Sequence, residues 1–300
     1  MGYRYLRSEF TLRNFERFTV RGRGKHSPLD LEEVIRAWLL RSPGRKPVTL
    51  ADDLGAVRQL CLYLRRSDPT VFVPPVSLAP QTASHYVPYV FSVDEIRRLI
   101  RAAERYQGHR FWPGMFRAML IATYCTGLRL GEAVRLQRPD LDQQRQVLHI
   151  LGSKGRSRDV PFQADLAQEF ARYLRERGEL LCARDREGEA ALFVGRDGHA
   201  VSVGATSCAI RLLLRRIGMK SETGRCGPRP YDLRHAFAVH RLTAWYRDGV
   251  DLQARLPWLS AYMGHLNVLG TEVYLHATPE LLAMASDRFA AQFARPGEQS

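Results

Sequence analysis

Thr126-Gly127-Leu128-Arg129-Leu130-Gly131-Glu132 is the stretch on which the reading of this chain turns. The apolar run Met115 to Tyr124 ahead of it has helical spacing, and Thr126-Gly127 stops that helix. Arg129 follows the stop, and Glu132 lies one turn further on, an i,i+3 ion pair of a kind common on helix surfaces. Three downstream segments give the pair more meaning. Lys154 sits in the basic turn Gly152 to Ser157, between extended runs at 146–151 and 158–162 that predict a hairpin. Tyr231-Asp232-Leu233-Arg234-His235 opens a helix after Pro228 and Pro230, and Met263-Gly264-His265 is followed nine residues later by Tyr274. Singly, each has an ordinary structural reading: a solvated turn lysine, a capped helix start with a core histidine, a helix end with a packed tyrosine. In order, they offer two guanidiniums, an ammonium, an imidazole and a phenol, the parts needed to transfer a phosphoryl group to tyrosine.

As an ordered set these segments resemble the tyrosine recombinase (phage integrase) family, whose pattern runs TGLRxGE, a lysine on a β-hairpin, HxLRH, GH, and a tyrosine about nine residues later. The resemblance covers nearly the whole chain. It implies a mainly α fold with a small antiparallel β-sheet (α+β): a helical core-binding domain at 1–75, a linker at 76–91 and a catalytic domain at 92–300. It implies a site-specific DNA recombinase or integrase that cleaves and rejoins duplex DNA through a 3′-phosphotyrosyl intermediate. Tyr274 is then the nucleophile. Arg129 and Arg234 clamp the non-bridging oxygens, His265 adds a hydrogen bond, and Lys154 is the general acid for the leaving 5′-oxygen. Glu132 orients Arg129 or a neighbour, and His235 packs beneath the site. No cofactor and no metal are implied, because the arginines take the place Mg²⁺ fills in other phosphoryl-transfer enzymes. Tyr231 departs from the pattern: it stands where the family has histidine, and a phenol is a poor base at neutral pH. The 31 residues from Arg234 to His265 are several more than usual, with the insertion expected at 242–256. The variant is most similar to integrases and transposases of mobile elements. A C-terminal helix at 279–293, with Leu282, Phe289 and Phe293 on one stripe, would pack on a neighbouring protomer of a homo- or hetero-tetramer on DNA. Two alternatives stay open: a type IB topoisomerase-like enzyme, and a catalytically impaired DNA-binding accessory protein of a mobile element.

Composition agrees with a polyanionic partner. The 300 residues, enough for about two domains, carry 45 Lys plus Arg against 31 Asp plus Glu, a formal charge of +14. Residues 1–50 have a net charge of +6 and residues 201–229 of +5, the latter including Arg211, Arg215 and Arg216 near one helix face. Only Lys25, Lys46, Lys154 and Lys220 are lysines, so each stands out against the arginines. Five widely spaced cysteines without a CxxC pair argue against a zinc site or a disulfide framework and for a reducing, cytoplasmic location. No apolar run is long enough to cross a membrane, and no secretory h-region is visible. The GxxxxGK[ST], GxSxG and HExxH motifs are absent.

Periodicity predicts a helix opened by Ser27-Pro28 and carrying Leu31, Val34, Ile35, Trp38 and Leu39, and another over 49–66. Arg-Gly-Arg-Gly-Lys at 21–25 reads as a basic loop, and the proline-rich stretch 69–92 as a linker. Ser92 and Glu95 form a capping-box pattern that starts the second domain. Further helices are expected over 130–136, 164–177, 204–218, 233–245, 252–263 and 279–293, and a short strand at 192–194.

Overall fold

The structure, a computed structural model, describes residues 6–22, 30–41, 43–80, 88–108, 110–153, 156–224, 226–272, 274–275, 283 and 286. The chain divides into two compact units, Met1–Tyr86 and Val87–Ser300.

The first unit contains helices α1 (Leu6–Gly22), α2 (Leu31–Leu40) and α3 (Pro47–Leu64). Asp30 caps α2 by accepting from the Glu32 and Glu33 amides, and Pro47 opens α3 where its missing N–H costs nothing. Ser27-Pro28, the expected start of α2, lies outside the described residues. Phe15, Ile35, Trp38, Leu54, Val57 and Cys61 form the core, with Phe15 edge-on to Trp38 at 5.1 Å. The sequence reading did not foresee α1. Its apolar positions are diluted by charge, and it is fixed by tertiary contacts: Phe15 in the core, and Thr11 donating to the buried Asp53 of α3. Arg21 and Gly22 of the expected basic loop belong to α1; residues 23–25 lie outside the described set.

The second unit contains α4 (Val93–Glu104), α5 (Pro113–Thr126), α6 (Leu130–Arg135), β1 (Leu141–Asp142), β2 (Val147–Ser153), β3 (Arg156–Pro161), α7 (Ala164–Cys182), α8 (Val203–Arg216), α9 (Asp232–Arg247), α10 (Leu252–Met263) and α11 (Leu269–Glu272). Ser92 and Glu95 close a reciprocal capping box at the start of α4. The sheet is antiparallel in the order β1-β2-β3, with Leu148 opposite Val160 and Ile150 opposite Arg158. Helix α5 is central. Met115, Phe116, Ala118, Met119, Leu120 and Ala122 are buried, so it is apolar around most of its circumference, and it packs against α4, α7 and α9. Residues 192–194 are not the expected strand. Isolated bridges form at Ala191, just before them, and at Val194, the last of them, and two of the backbone carbonyls are held by side chains: Leu192 O by Tyr173 and Arg177, and Val194 O by Trp112. With those acceptors taken by side chains, no ladder extends.

A smaller cluster joins α9 and α10 through Phe237, Val239, Leu242, Leu256, Leu259 and Met263, and Tyr274 is buried in it. Among the described residues no helix is long and apolar enough to cross a membrane. Of the expected helix at 279–293 only residues 283 and 286, both helical and exposed, are described.

Candidate active site

Three helix ends build the site. The first is the C-terminus of α5, where Gly127 turns the chain with φ +62°; a Cβ there would lie 2.4 Å from Phe237 Cδ1, so only glycine allows α5 and α9 this approach. The turn delivers Arg129 to the N-cap position of α6. The second is the N-terminus of α9, which carries Arg234 and His235 in its first turn. The third is the C-terminus of α10, where Gly264 takes φ +68° and the His265 amide donates back to Ser260 O.

The last carbonyls of a helix have no partner within it and sit at its negative pole. At the end of α10, three consecutive carbonyls each accept from a different arginine: Tyr262 O from Arg158 Nε at 2.8 Å, Met263 O from Arg234 Nη2 at 2.7 Å, and Gly264 O from Arg129 Nη2 at 3.0 Å. Arg234 also donates through Nη1 to Gly127 O at 2.7 Å, tying the ends of α5 and α10 together. Its guanidinium is buried, and desolvation, with the charge of Arg129 beside it, lowers its pKa from the usual arginine value.

Glu132 is the site's buried carboxylate. It accepts from the Arg129 amide at 2.9 Å, Arg129 Nη1 at 2.7 Å, Arg158 Nη1 and Nη2 at 3.1 and 3.0 Å, and the Ser153 hydroxyl. Burial pushes its pKa up, but the Arg158 and Ser153 hydrogen bonds, the Arg158 charge and the Arg129 amide outweigh burial and hold it at about 2. It stays ionised at any working pH.

Tyr274 is 2% exposed. Its ring centroid lies 5.3 Å from that of His235 and 6.2 Å from that of His265, the latter stacked. Desolvation raises the phenol's pKa, opposed by the charge of Arg234, its hydrogen bond to the phenol, and the charge of Arg129. His265 Nδ1 is 2.7 Å from Thr271 Oγ1. When the hydroxyl donates to Nδ1, the ring proton sits on Nε2, which is then a donor. His235 is buried, and desolvation takes its pKa down to about 4 despite Asp232, whose Oδ1 is 3.9 Å from Nε2, so the ring is neutral near pH 7. Tyr231 is 40% exposed, its ring edge-on to His235 at 4.9 Å.

The structure therefore brings Arg129, Glu132, Tyr231, Arg234, His235, His265 and Tyr274 into one neighbourhood. Lys154 lies outside the described residues; Ser153 immediately before it and Arg156 two residues on are the ends of β2 and β3. The sequence reading missed Arg158. Strand pairing carries a signal for it: residues opposite each other in an antiparallel pair share a face, and Arg158 stands opposite the buried Ile150. Among the described residues no cluster of three or more His, Cys, Asp or Glu could hold a metal. Two guanidiniums and an imidazole beside a phenol, backed by a third guanidinium on a buried carboxylate, suit a phosphoryl group and the extra charge of its transition state.

Residues 90–280 match the model of the phage integrase family. The y4rB protein of Sinorhizobium fredii, named as an integrase/recombinase, is 33% identical over 96% of this chain and 92% of its own length. The tyrosine recombinase XerC of Staphylococcus carnosus is 28% identical over 81% of this chain and 75% of its own. Among solved structures, the XerH site-specific recombinase bound to palindromic difH substrate aligns with a TM-score of 0.66 at 17% identity, covering 91% of this chain and 76% of that one. The Tn1549 transposon integrase in complex with transposon right end DNA aligns with a TM-score of 0.66 at 17% identity, covering 95% and 94%. At these identities the structural likeness concerns the fold.

Proposed function

Because the chain belongs to the phage integrase family of tyrosine recombinases, we propose that its site-specific recombination runs through Tyr274 as nucleophile. The observation that carries this is the convergence on the buried Tyr274 of His265, stacked on its ring, and of Arg234 and Arg129, both held on the carbonyls that end α10. The phenol oxygen attacks the scissile phosphorus, the P–O5′ bond breaks, and a 3′-phosphotyrosyl ester and a 5′-hydroxyl result. The phenol's proton passes to water while Lys154 protonates the leaving 5′-oxygen, so the step is proton-neutral overall. Arg129 and Arg234 stay protonated throughout and neutralise the non-bridging oxygens, and His265 donates from Nε2. Losing one such donor costs about 3–4 kcal/mol of transition-state stabilisation. A 5′-hydroxyl from a partner strand reverses the step, and the bond energy is conserved without ATP. Tyr231 lends a hydrogen bond at the rim in place of the family's histidine, and Glu132 and His235 support the reacting groups from below.

The substrate is duplex DNA, in the cytoplasm, and the setting is a mobile element. The charge of +14 supports phosphate-dominated binding, with affinity falling steeply with salt. Recombination needs several protomers on DNA. Residues 279–300 supply the element exchanged between neighbours in a homo- or hetero-tetramer, and a groove of about 820 Å³ bordered by Phe162, Phe237, Trp245 and Tyr262 offers apolar surface for it. Deleting 279–300 should abolish assembly on DNA and leave the affinity for a single half-site.

A nicked duplex that traps the cleaved strand should give an SDS-resistant protein–DNA adduct, and absence of any adduct would leave only a DNA-binding protein. Exchange between two sites, without relaxation of a site-free supercoiled plasmid, separates a recombinase from a topoisomerase-like enzyme.

A further inference from the structure

Arg158 has no part in the sequence-derived catalytic set, yet its guanidinium makes three hydrogen bonds inside the site. Its guanidinium grips Glu132 with two nitrogens, at 3.1 and 3.0 Å, and its Nε reaches Tyr262 O at 2.8 Å. Gly264 lies directly over it: a Cβ at Gly264 would fall 2.8 Å from Arg158 Nη1 and 2.9 Å from Cζ. The glycine before His265 thus serves the left-handed turn and also leaves room for this guanidinium.

The two strands of the hairpin meet at Glu132. Ser153, the residue before Lys154, donates to it from β2, and Arg158, four residues after Lys154, donates to it from β3. The same carboxylate holds Arg129. We propose that Arg158 is a positioning residue for strand cleavage: with Ser153 it fixes the base of the β2–β3 hairpin to Glu132 and to the end of α10, and so sets where Lys154 stands relative to the leaving 5′-oxygen. The inference rests on the reading of Lys154 as general acid. Tyr262 Oη also donates to Pro161 O at 2.9 Å, so β3 keeps a second tie to α10 when Arg158 is changed. Arg158→Lys keeps the charge but cannot span Glu132 and Tyr262 O together. A misplacement of about 1 Å at a reacting group can cost about 100-fold in rate.

The test is single-turnover cleavage of two nicked duplexes, one with oxygen and one with sulfur at the 5′-bridging position of the scissile phosphate. With sulfur, the P–S bond breaks and a thiolate leaves without needing a proton, so a fault in acid catalysis disappears. Arg158→Lys and Ser153→Ala are compared with Lys154→Ala, with half-site affinity and melting temperature measured for each. We expect Arg158→Lys to cleave the oxygen substrate about 10- to 100-fold more slowly, to recover most of that loss on sulfur, and to bind the half-site as the parent does. Ser153→Ala should show a smaller loss with the same recovery, and it provides the readout if Arg158→Lys is poorly folded. Equal loss on both substrates, or no loss on oxygen in either variant, overturns the inference. If Lys154→Ala is not recovered by sulfur, it is the Lys154 reading that fails, a distinct outcome.

Discussion

Replacing Glu132 with glutamine tests the electrostatic core of the site. The Glu132 side chain is 1% exposed, and its partners Arg129 and Arg158 are 16% and 12% exposed. Holding a carboxyl at about 2 in the fold against the usual 4.5 corresponds to about 3 kcal/mol of stability near pH 7. The sign follows from the lowered value: the contribution is complete above about pH 4.5 and is lost as the pH falls through about 2. Glutamine keeps one acceptor oxygen but removes the charge and turns an NH₂ toward two guanidiniums. Breaking one member of a buried ion pair costs about 3–5 kcal/mol. Urea unfolding of the parent and of Glu132→Gln at pH 7 should differ by about 3 kcal/mol, and the difference should shrink as the pH is lowered below 4.5. A loss under about 1 kcal/mol at pH 7, or a difference independent of pH down to 2.5, would refute the claim that this carboxylate is stabilised as an anion. Cleavage should fall along with stability, because Arg129 loses the partner that holds Nη1.

How much of this was legible beforehand depended on the range of the interactions. Helix α10 was readable to the residue: Asp251 precedes it, an apolar face fills it, and Gly264 ends it. The Ser92–Glu95 start of α4 was equally local. Helix α1 was not, because it is held by tertiary partners on α2 and α3, with Phe15 and Thr11 buried against them and Leu12 and Phe18 packed on the same core. In the site, the residue types and their order carried the chemistry, since a phosphoryl transition state restricts which side chains can serve. The support beneath it was hidden. That three arginines, from the N-cap of α6, from β3 and from α9, would share the carbonyls ending α10 follows from tertiary placement, and Arg158 looked like one more cation among 45. The 192–194 segment has a strand's composition, but Tyr173, Arg177 and Trp112 take its carbonyls, a competition no local pattern encodes.

Gly127→Ala should destabilise the second unit by about 2–4 kcal/mol, combining a left-handed backbone with a clash on Phe237, while Gly204→Ala, with open space around its Cβ, should melt within a degree or two of the parent. His235 is neutral in the fold at about 4 against the usual 6.5, so stability is complete above about pH 6.5 and falls by about 3 kcal/mol as the pH drops towards 4. His235→Phe should flatten that part of the urea-stability profile, and an unchanged slope would show that the ring is not the group titrating. Raising salt from 50 to 200 mM should weaken half-site binding at least about 100-fold, read by fluorescence anisotropy, whereas a change of a few-fold would mean that phosphate contacts are few.

The central claim is a covalent bond between Tyr274 and DNA. Trapping the protein on a nicked duplex, digesting the adduct with protease and nuclease, and locating the residual nucleotide by mass spectrometry reads it directly. We expect a single 3′-linked nucleotide on Tyr274 and none with Tyr274→Phe. A nucleotide on another residue, or an adduct formed by Tyr274→Phe at the parent's rate, would contradict the account.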